Sequence, residues 1–262
     1  MLTGRTVLLT GATGGLGGAL ARHLHAAGAQ LVLTGRREEE LRALAFQTDA
    51  RAVTADLSDA AEVQRLVAEV GPVDVLVSNA ALPGTGALGS FTVDQVTRAL
   101  DVNLVAAVSL AHGLLPGMLE RRTGSLVFVS SLAGLTATPD TSLYNATKFG
   151  LRGFALSLHE ELRGTGVGAS VVLPGFVRDA GMFAETGLPD PRLFGTCTPD
   201  QVAEAVVRAI ETNPAQLLVG PVVSRVGARL GSLAPALAFR LQRLGLIKGI
   251  GEQMARAQQH KR

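Results

Sequence analysis

Short runs rich in valine and leucine alternate with longer stretches of helical periodicity along the first 220 residues of the chain. This alternation is typical of β-α-β units, whose strands lie parallel in one sheet with helices on both faces. The predicted strands are Arg5–Thr10, Gln30–Thr34, Ala50–Ala55, Val73–Ser78, Ser125–Ser130, Gly168–Leu173 and Gln216–Val219. The predicted helices lie near Gly15–Ala27, Glu38–Phe46, Ala60–Val70, Val93–Leu119, Ser142–Arg163 and Pro199–Glu211. The sequence therefore predicts a single α/β domain over residues 1–221, with an extension over residues 222–262.

The composition suits a covered sheet in a reducing compartment. The chain has 262 residues, of which 47% are hydrophobic and 18% charged, enough to bury a large core. A single cysteine, Cys197, excludes an intrachain disulfide. The sequence shows no signal-peptide pattern and no stretch of about 18 uninterrupted apolar residues. We therefore expect a cytoplasmic protein without a spanning helix, and no metal site.

A glycine-rich turn follows the first predicted strand directly. Glycines permit a tight turn and close approach of a pyrophosphate, and the helix that begins there offers N–H groups and a positive dipole end. A purely structural turn is the alternative, but the place between a strand and an amphipathic helix favours dinucleotide binding. The turn residues expected to bind the cofactor are Gly11, Thr13, Gly14, Gly15, Leu16 and Gly17.

The end of the second predicted strand indicates which dinucleotide binds. A site that prefers NAD(H) carries an acid there for the ribose 2′-hydroxyl, whereas this chain has Gly35, Arg36 and Arg37. A guanidinium pairs well with a phosphate, so we expect NADP(H) to be preferred over NAD(H). Two solvated arginines before a helix are the alternative.

The only tyrosine, Tyr144, precedes one of three lysines, Lys148, by four residues. On a helix these positions share a face, so the ammonium is expected to lower the tyrosine pKa from about 10 towards a useful range. Ser131, at the end of the fifth predicted strand, can hydrogen-bond a substrate carbonyl oxygen as it becomes an alkoxide. Each feature alone also has an ordinary structural interpretation.

Together these residues resemble the short-chain dehydrogenase/reductase family over about residues 3–220. The matching segments are the TGxxxGxG pattern of Thr10–Gly17, Asp56-Leu57, Ser78-Asn79-Ala80-Ala81, Asn103, Ser131, Tyr144 with Lys148, and Pro174-Gly175. The resemblance implies a Rossmann-type, doubly wound sheet of seven parallel strands. It also implies a homodimer or homotetramer that associates through the long helices near Val93–Leu119 and Ser142–Arg163.

The resemblance also implies site residues. Tyr144 is the general acid–base, Lys148 lowers its pKa and binds the nicotinamide ribose, Ser131 orients the carbonyl, and Asn103 holds a water that relays protons. Asp56 is expected to contact the adenine, and Asn79 to support the central strand. The remaining cofactor contacts that it implies are Leu57, Ala80, Pro174, Gly175, Val177 and Asp179.

Two positions depart from the family pattern. Ala81 replaces the last glycine of Asn-Asn-Ala-Gly and narrows the approach to the ribose by one methyl group. Asp179 stands where the family often has a threonine that contacts the nicotinamide amide. A carboxylate accepts from that amide but cannot donate as a hydroxyl does. We hypothesise that its charge changes the balance between reduced and oxidised cofactor.

A substrate loop is predicted at about residues 176–198. Its apolar residues are Met182, Phe183, Leu188, Pro189, Leu193 and Phe194. They indicate an apolar carbonyl or alcohol substrate, although a loop packed on a core has the same composition. The expected reaction is reduction of a ketone or aldehyde, with oxidation of an alcohol as its reverse. A non-catalytic dinucleotide-sensing protein is the alternative from another class, but such proteins tend to lack the tyrosine or the lysine.

The extension is strongly basic. Residues 222–262 contain eight arginines and lysines against one acid, a net charge of +7, while the rest of the chain carries −5. Apolar residues at helical spacing with interspersed arginines describe an amphipathic surface. Three interpretations stay open: packing on a subunit or over the substrate entrance, peripheral contact with an anionic membrane, or a poorly ordered tail. Nucleic acid is not expected, because the main domain is acidic and aromatic residues are only 4%.

Overall fold

A single parallel sheet organises the chain. The computed structural model describes residues 2–191, 194–241 and 250–258. The strands are Thr6–Thr10 (β1), Gln30–Gly35 (β2), Arg51–Thr54 (β3), Val75–Ser78 (β4), Gly124–Val129 (β5), Val167–Pro174 (β6) and Gln216–Val219 (β7). Their order is β3-β2-β1-β4-β5-β6-β7 and each neighbouring pair is parallel. The doubly wound, seven-stranded Rossmann-type sheet is therefore confirmed, with its switch point between β1 and β4.

Helices cover both faces of this sheet. They are Gly15–Ala26 (α1), Glu38–Gln47 (α2), Ala60–Val70 (α3), Val93–Leu100 (α4), Ala106–Arg121 (α5), Ser142–Glu161 (α6), Gly181–Ala184 (α7), Pro199–Thr212 (α8), Val222–Leu233 (α9), Pro235–Leu241 (α10) and Ile250–Gln258 (α11). Alternate residues of β1 enter different cores: Leu8 packs with α3, α5 and α6, whereas Val7 and Leu9 pack with α1, α2 and α8. Burial on both faces explains why the strand runs are continuously apolar.

The long helix predicted near Val93–Leu119 contains an irregularity. A π-helical turn, Asp101–Val105, joins α4 to α5, so the continuous helix Val93–Arg121 carries a bulge. Turns of this kind occur often at functional sites. This 29-residue helix is long and apolar enough to cross a membrane by length and composition. Its residues Leu110, Leu114 and Met118 are nevertheless buried in the core beside the sheet.

Parts of two predicted segments lie outside the described residues. Leu193 of the substrate loop is one of them. In the basic extension, residues 242–249 and 259–262 are also outside, and they include Arg243, Lys248, Lys261 and Arg262. The described part of the extension is helical and comprises α9, α10 and α11.

Candidate active site at the carboxyl edge of the sheet

The glycine-rich turn forms a cradle between β1 and α1. A Cβ on Gly11, whose φ is +65°, would lie 2.7 Å from the Ala80 Cα, and one on Gly17 would overlap the Gly11 carbonyl oxygen. Gly14, the N-cap of α1, has no side chain to cap the first turn. The glycines thus leave open the space beside the main-chain N–H groups of that turn, which side chains would otherwise fill. Such a cradle fits the pyrophosphate of a dinucleotide.

The ends of β1 and β4 are tied together at the switch point. The Asn79 Nδ2 donates to the carbonyl oxygens of Thr10 (3.1 Å) and Gly11 (3.3 Å). In return, the Thr10 hydroxyl accepts from the main-chain N–H groups of Asn79 and Ala80, both at 3.0 Å. Asn79 therefore supports the floor of the cradle, and Ala80 lies directly against Gly11.

The two arginines after β2 have different surroundings. The Arg37 guanidinium donates to the Thr13 carbonyl oxygen in the glycine-rich turn and to Glu40 Oε1 (2.8 Å). Arg36 is half-exposed and its Nη1 lies 4.0 Å from Asp56 Oδ2. Arg37 is therefore held by the turn itself, whereas Arg36 extends over the surface beside Asp56.

Asp56 lies among positive groups and local hydrogen bonds. Its Oδ1 accepts from the Ser58 N–H (3.0 Å) and hydroxyl (2.7 Å), and Arg98 lies 3.6 Å from Oδ2. Desolvation raises the pKa of Asp56, but the Ser58 hydrogen bonds and both arginines outweigh it, so the pKa lies below its ordinary value. The cap of α3 is Asp59, which accepts from Ala61 N. Asp56 is thus an ionised carboxylate at the end of β3, next to the buried Leu57.

Ser131, Tyr144 and Lys148 meet at the carboxyl end of β5. Ser131 caps a short 3₁₀ turn, accepts from Ala133 N (3.1 Å) and donates to the Pro174 carbonyl oxygen (3.4 Å). Tyr144 stands in the first turn of α6 and Lys148 one turn later. The Lys148 Nζ lies 5.6 Å from the centre of the tyrosine ring. The structure therefore brings the three predicted side chains together, with Pro174 and Gly175 beside them.

Burial decides the titration of both ionisable groups. Desolvation raises the pKa of Tyr144 to about 12, and a hydrogen bond with the Ser131 side chain opposes this shift. The tyrosine side chain as a whole is only partly buried. Burial also lowers the pKa of Lys148 to about 8. With the protein groups described, the pKa of Tyr144 is therefore raised, not lowered as expected, because burial of the phenol outweighs the hydrogen bond with Ser131.

Lys148 is held from below the tyrosine. Its side chain is 2% exposed and its Nζ donates to the Val129 carbonyl oxygen (3.2 Å) at the end of β5. The Ser130 hydroxyl donates to the Lys148 carbonyl oxygen (3.0 Å), which fixes this turn of α6 against the strand. The ammonium therefore has a defined position under the phenol.

Asn103 lies in the π-helical turn and is buried. Its Oδ1 accepts from the Leu82 N–H (2.6 Å), and its Nδ2 donates to the Leu82 carbonyl oxygen (2.9 Å). The side chain thus fixes the loop that follows β4. Both its acceptor and its donor are engaged with that loop.

The substrate loop closes on itself and packs on the glycine-rich turn. Val177 and Cys197 form a parallel bridge at its base. A Cβ on Gly15 would lie 2.7 Å from Gly181 N, so the loop touches the start of α1. Phe183 is buried, with its ring centre 4.9 Å from that of Phe176, which shows that part of the loop's apolar content is packing.

The carboxylate of Asp179 pairs with the neighbouring Arg178 and is largely exposed. Its Oδ2 lies 3.3 Å from the Arg178 Nε, and its side chain is 69% exposed. The backbone at Asp179 has a φ of +67°, in the left-handed region. The structure places this acid at the rim of the substrate loop.

Sequence reasoning missed several groups that position the site. Asn145 is buried, and its Nδ2 donates to the carbonyl oxygens of Ala133 (2.7 Å) and Thr136 (2.8 Å), which holds the segment after Ser131. Thr10 and Leu82 act through their contacts with Asn79 and Asn103. The place of Asn145 inside the tyrosine–lysine motif was the one available signal for it.

Two other features bear on the choice of site. Within residues 2–191, 194–241 and 250–258, no cluster of three His, Cys, Asp or Glu side chains is arranged to hold a metal ion. A cavity of about 640 Å³ lies at the amino ends of β5 and β6, lined by Arg5, His159 and Arg163 among others. It is at the opposite edge of the sheet from Tyr144.

Comparisons with known proteins agree with this geometry. The family model for short chain dehydrogenases matches residues 5–189. The ketoacyl reductase HetN of Nostoc sp. strain PCC 7120 is 37% identical over 259 residues, which cover 92% of this chain and 89% of that protein. Two solved structures resemble the chain closely. One is a metagenomic short-chain oxidoreductase in complex with NADP, 32% identical with a TM-score of 0.71, covering 84% of this chain and 99% of that one.

The other is a variant of the actinorhodin polyketide ketoreductase with NADPH. It is 30% identical with a TM-score of 0.76, and the match covers 84% of this chain and 97% of that one. The family model and the relatives thus span most of the chain and include the Tyr144 and Lys148 segment. The chain therefore belongs to the short-chain dehydrogenase/reductase family and is a nucleotide-dependent oxidoreductase that acts on C=O or CH–OH groups.

Proposed function

We propose that this protein reduces an apolar ketone or aldehyde with NADPH as the hydride donor. The observation that carries the proposal is the convergence of the Ser131 hydroxyl, the Tyr144 phenol and the buried Lys148 ammonium beside the glycine-rich cradle. A carbonyl oxygen placed between the two hydroxyl groups accepts from both once the Ser131 hydroxyl turns from the Pro174 carbonyl oxygen towards it. The site then stabilises negative charge on that oxygen as it develops.

The titration of Tyr144 suits the role of proton donor in a reduction. With a pKa raised to about 12, the phenol is protonated at neutral pH and is ready to donate to the forming alkoxide. Hydride comes from the reduced nicotinamide when the cofactor is bound. Lys148, with a pKa of about 8, is still mostly charged at neutral pH and stabilises the phenolate that remains. Alcohol oxidation runs through the same groups in reverse, with the phenolate accepting the proton.

Preference for NADP(H) over NAD(H) is proposed to depend on Arg36. Its guanidinium is half-exposed beside Asp56, whereas Arg37 is engaged with Thr13 and Glu40. A forked guanidinium suits the 2′-phosphate. The presence of NADP or NADPH in the two related structures supports this choice.

The remaining contacts follow from the same placement. Asp56 and Leu57 are proposed to line the adenine site, and the glycine-rich turn, Ala80, Val177 and the Pro174-Gly175 segment the rest of the cofactor path. A water relay at Asn103 is proposed through main-chain groups of the π-helical turn, because its side chain is committed to Leu82. A direct effect of Asp179 on the nicotinamide stays a prediction.

The substrate is proposed to be an apolar ketone, for which β-ketoacyl compounds are the first candidates. Ketoacyl reductase and polyketide ketoreductase are the names of related proteins. The half-buried apolar residues of the substrate loop, such as Met182 and Leu188, support an apolar ligand. Association into a homodimer or homotetramer in the cytoplasm is proposed through the long helices that contain α5 and α6. Val105, in the π-helical turn before α5, and Phe149, in α6, leave apolar side chains exposed there.

The test is NADPH oxidation, followed by absorbance, with carbonyls ranging from small ketones to long-chain ketoacyl and steroid-like compounds. Replacing Tyr144 by Phe removes the proton donor and should lower kcat about a hundredfold to ten-thousandfold. NADPH binding by the variant, measured by fluorescence titration, should persist.

Each outcome separates the alternatives. Equal turnover by wild type and Tyr144→Phe would overturn the mechanism. Turnover seen only with alcohols and NADP⁺ would make the protein an alcohol dehydrogenase. Tight NADPH binding without turnover in either direction would favour a sensing role.

A further inference from the structure

The helices α9 and α10 lie on the domain with their small residues inward and their large apolar residues outward. Ser224, Ala228 and Gly231 are buried, and a Cβ on Gly231 would lie 2.9 Å from the Thr136 hydroxyl oxygen. The outward residues are Val222, Val226, Leu230, Leu233 and Leu237, and we call this stripe the tail face. This arrangement is the reverse of an ordinary surface helix, which buries its apolar stripe.

The tail face is both continuous and strongly exposed. On α9, Val222, Val226, Leu230 and Leu233 follow one another at spacings of four, four and three, so they line one side of that helix. Leu237 lies on α10, beyond the break at Ala234, and is also exposed. Leu233 is 83% exposed and Leu230 is 60% exposed. Contiguous apolar surface of this kind marks an interaction site rather than a random surface.

The charge beside the tail face indicates the partner. Residues 222–241 contain three arginines and no acid, and Arg229 and Arg240 are exposed. Leucines flanked by arginines match a bilayer with anionic headgroups, where the apolar groups enter the interface and each cation is attracted to the surface. Self-association through this face would bring two extensions of net charge +7 together, which charge repulsion disfavours.

We propose that the tail face docks on the surface of an anionic lipid bilayer. The extension also holds the substrate loop at two places: the Ser224 hydroxyl donates to the Phe194 carbonyl oxygen, and the Gln258 Nε2 donates to the Met182 carbonyl oxygen (2.7 Å). Docking therefore places the substrate loop close to the lipid, with α9 between the two. In so far as it delivers a lipid-dissolved carbonyl to the site, the consequence rests on the proposed function; the docking itself does not.

The test is flotation of the full-length protein with vesicles of phosphatidylcholine, with and without phosphatidylglycerol. The wild type should float with the anionic vesicles only, and high salt should weaken it. The triple variant Leu230→Asn, Leu233→Asn, Leu237→Asn should lose more than about tenfold in vesicle partitioning. Each of Arg229→Gln and Arg240→Gln should lose about fivefold.

A matched control uses exposed apolar residues elsewhere. The control is a triple variant that combines Phe46→Asn, Leu88→Asn and Val93→Asn. These side chains are about as exposed as the tail-face leucines but lie far from α9 in the chain. The control variant should float like the wild type. Turnover of a water-soluble ketone should be equal in all variants, which separates failed docking from failed catalysis. Flotation of the Leu triple variant, or absence of wild-type flotation, would overturn the proposal. A smaller sedimenting mass of the Leu triple variant without wild-type flotation would identify the face as a subunit interface instead.

Discussion

Lys148 carries a charge that its burial in the folded protein disfavours. Its ammonium is almost fully buried, it donates to one carbonyl oxygen, and burial lowers its pKa from 10.5 to about 8. A base with a depressed pKa takes up fewer protons in the folded than in the unfolded chain. The buried charge therefore lowers the stability of the folded protein. We infer that it is retained because it acts on the neighbouring Tyr144 phenol.

This cost predicts a stabilised but inactive variant. At neutral pH the pKa shift of Lys148 corresponds to a cost of about 3 kcal/mol. The hydrogen bond to Val129, which Lys148→Met removes, offsets about 1 kcal/mol of this cost. The free energy of unfolding of Lys148→Met should therefore be about 2 kcal/mol greater than that of wild type. The penalty is fully present below about pH 8 and disappears as the pH rises to about 10.5, where neither state of the wild type is charged. Urea unfolding at neutral and alkaline pH measures the difference. A variant less stable than wild type at neutral pH would contradict the prediction.

Arg36 and Arg37 form a matched pair of substitutions. Arg36→Leu should raise the KM for NADPH about tenfold to a hundredfold and leave that for NADH unchanged, because only the 2′-phosphate loses a partner. Arg37→Leu should raise both KM values, since it releases the Thr13 carbonyl oxygen that shapes the turn. Steady-state kinetics with both cofactors decide it. Equal losses for NADPH and NADH in Arg36→Leu would show that this residue does not read the phosphate.

At this scale the sequence identified which side chains meet but not how they behave. Tyr144 and Lys148 were predictable because helical spacing fixes their common face. The direction of the tyrosine shift was not predictable, because desolvation depends on how β5, α6 and the surrounding loops enclose the hydroxyl. The role of the Thr10 side chain was also not predicted, since its contact with Asn79 joins residues that are far apart in the chain.

At the scale of elements, the start of α1 and the substrate loop act as neighbours. The contact between Gly15 and the main chain of Gly181 leaves no room for a side chain. A change in the glycine-rich turn is therefore transmitted to the substrate loop through direct packing.

We predict that Gly15→Ala displaces the substrate loop. The new methyl group would lie 2.7 Å from Gly181 N, so the loop must move. Limited proteolysis should cut the substrate loop faster, and the KM for the ketone should rise several-fold. Gly18→Ala is the control, because its methyl group would meet only the flexible end of Arg22 at 3.4 Å. The same proteolysis rate in both variants would argue against the contact.

The elements were predictable to different degrees. The strands followed from continuous apolar runs, which a sheet buried on both faces requires. The π-helical turn at residues 101–105 did not, because no Pro or Gly interrupts the predicted helix there. The bulge coincides with the hydrogen bonds between Asn103 and Leu82, which are distant from each other in the chain. The outward orientation of the tail face was not predictable either. Helical spacing reveals an apolar stripe but not whether that stripe faces the core or the solvent.

At the scale of the whole molecule, exposed apolar residues occur in separate regions. One is the tail face. Another lies where the π-helical turn and α6 come together, with Val105 and Phe149 both exposed. The two elements touch there, because a Cβ on Gly150 would lie 3.0 Å from the Leu104 side chain. Apolar surface at two long helices suits a subunit contact.

Charges placed there should break the homo-oligomer proposed above. The double variant Val105→Glu, Phe149→Glu would bury like charges in a symmetric interface, so analytical ultracentrifugation should show a smaller species than the wild type. Phe46→Glu, at a side chain that is 92% exposed on α2, should leave the mass unchanged. A wild type that sediments as a monomer, or a double variant with the wild-type mass, would place the contact elsewhere.

The tie between Thr10 and Asn79 also constrains the order of folding. It joins strands 69 residues apart in the chain, across two intervening β-α units, so its closure is a non-local and slow event. The glycine-rich motif is complete by Gly17, yet its floor is supplied by Asn79 and Ala80. A nascent chain that has folded only its first three strands thus carries the whole motif and still lacks the dinucleotide cradle. Cofactor capture should therefore report the docking of β4 on β1, which makes bound dinucleotide a clock for this step in refolding.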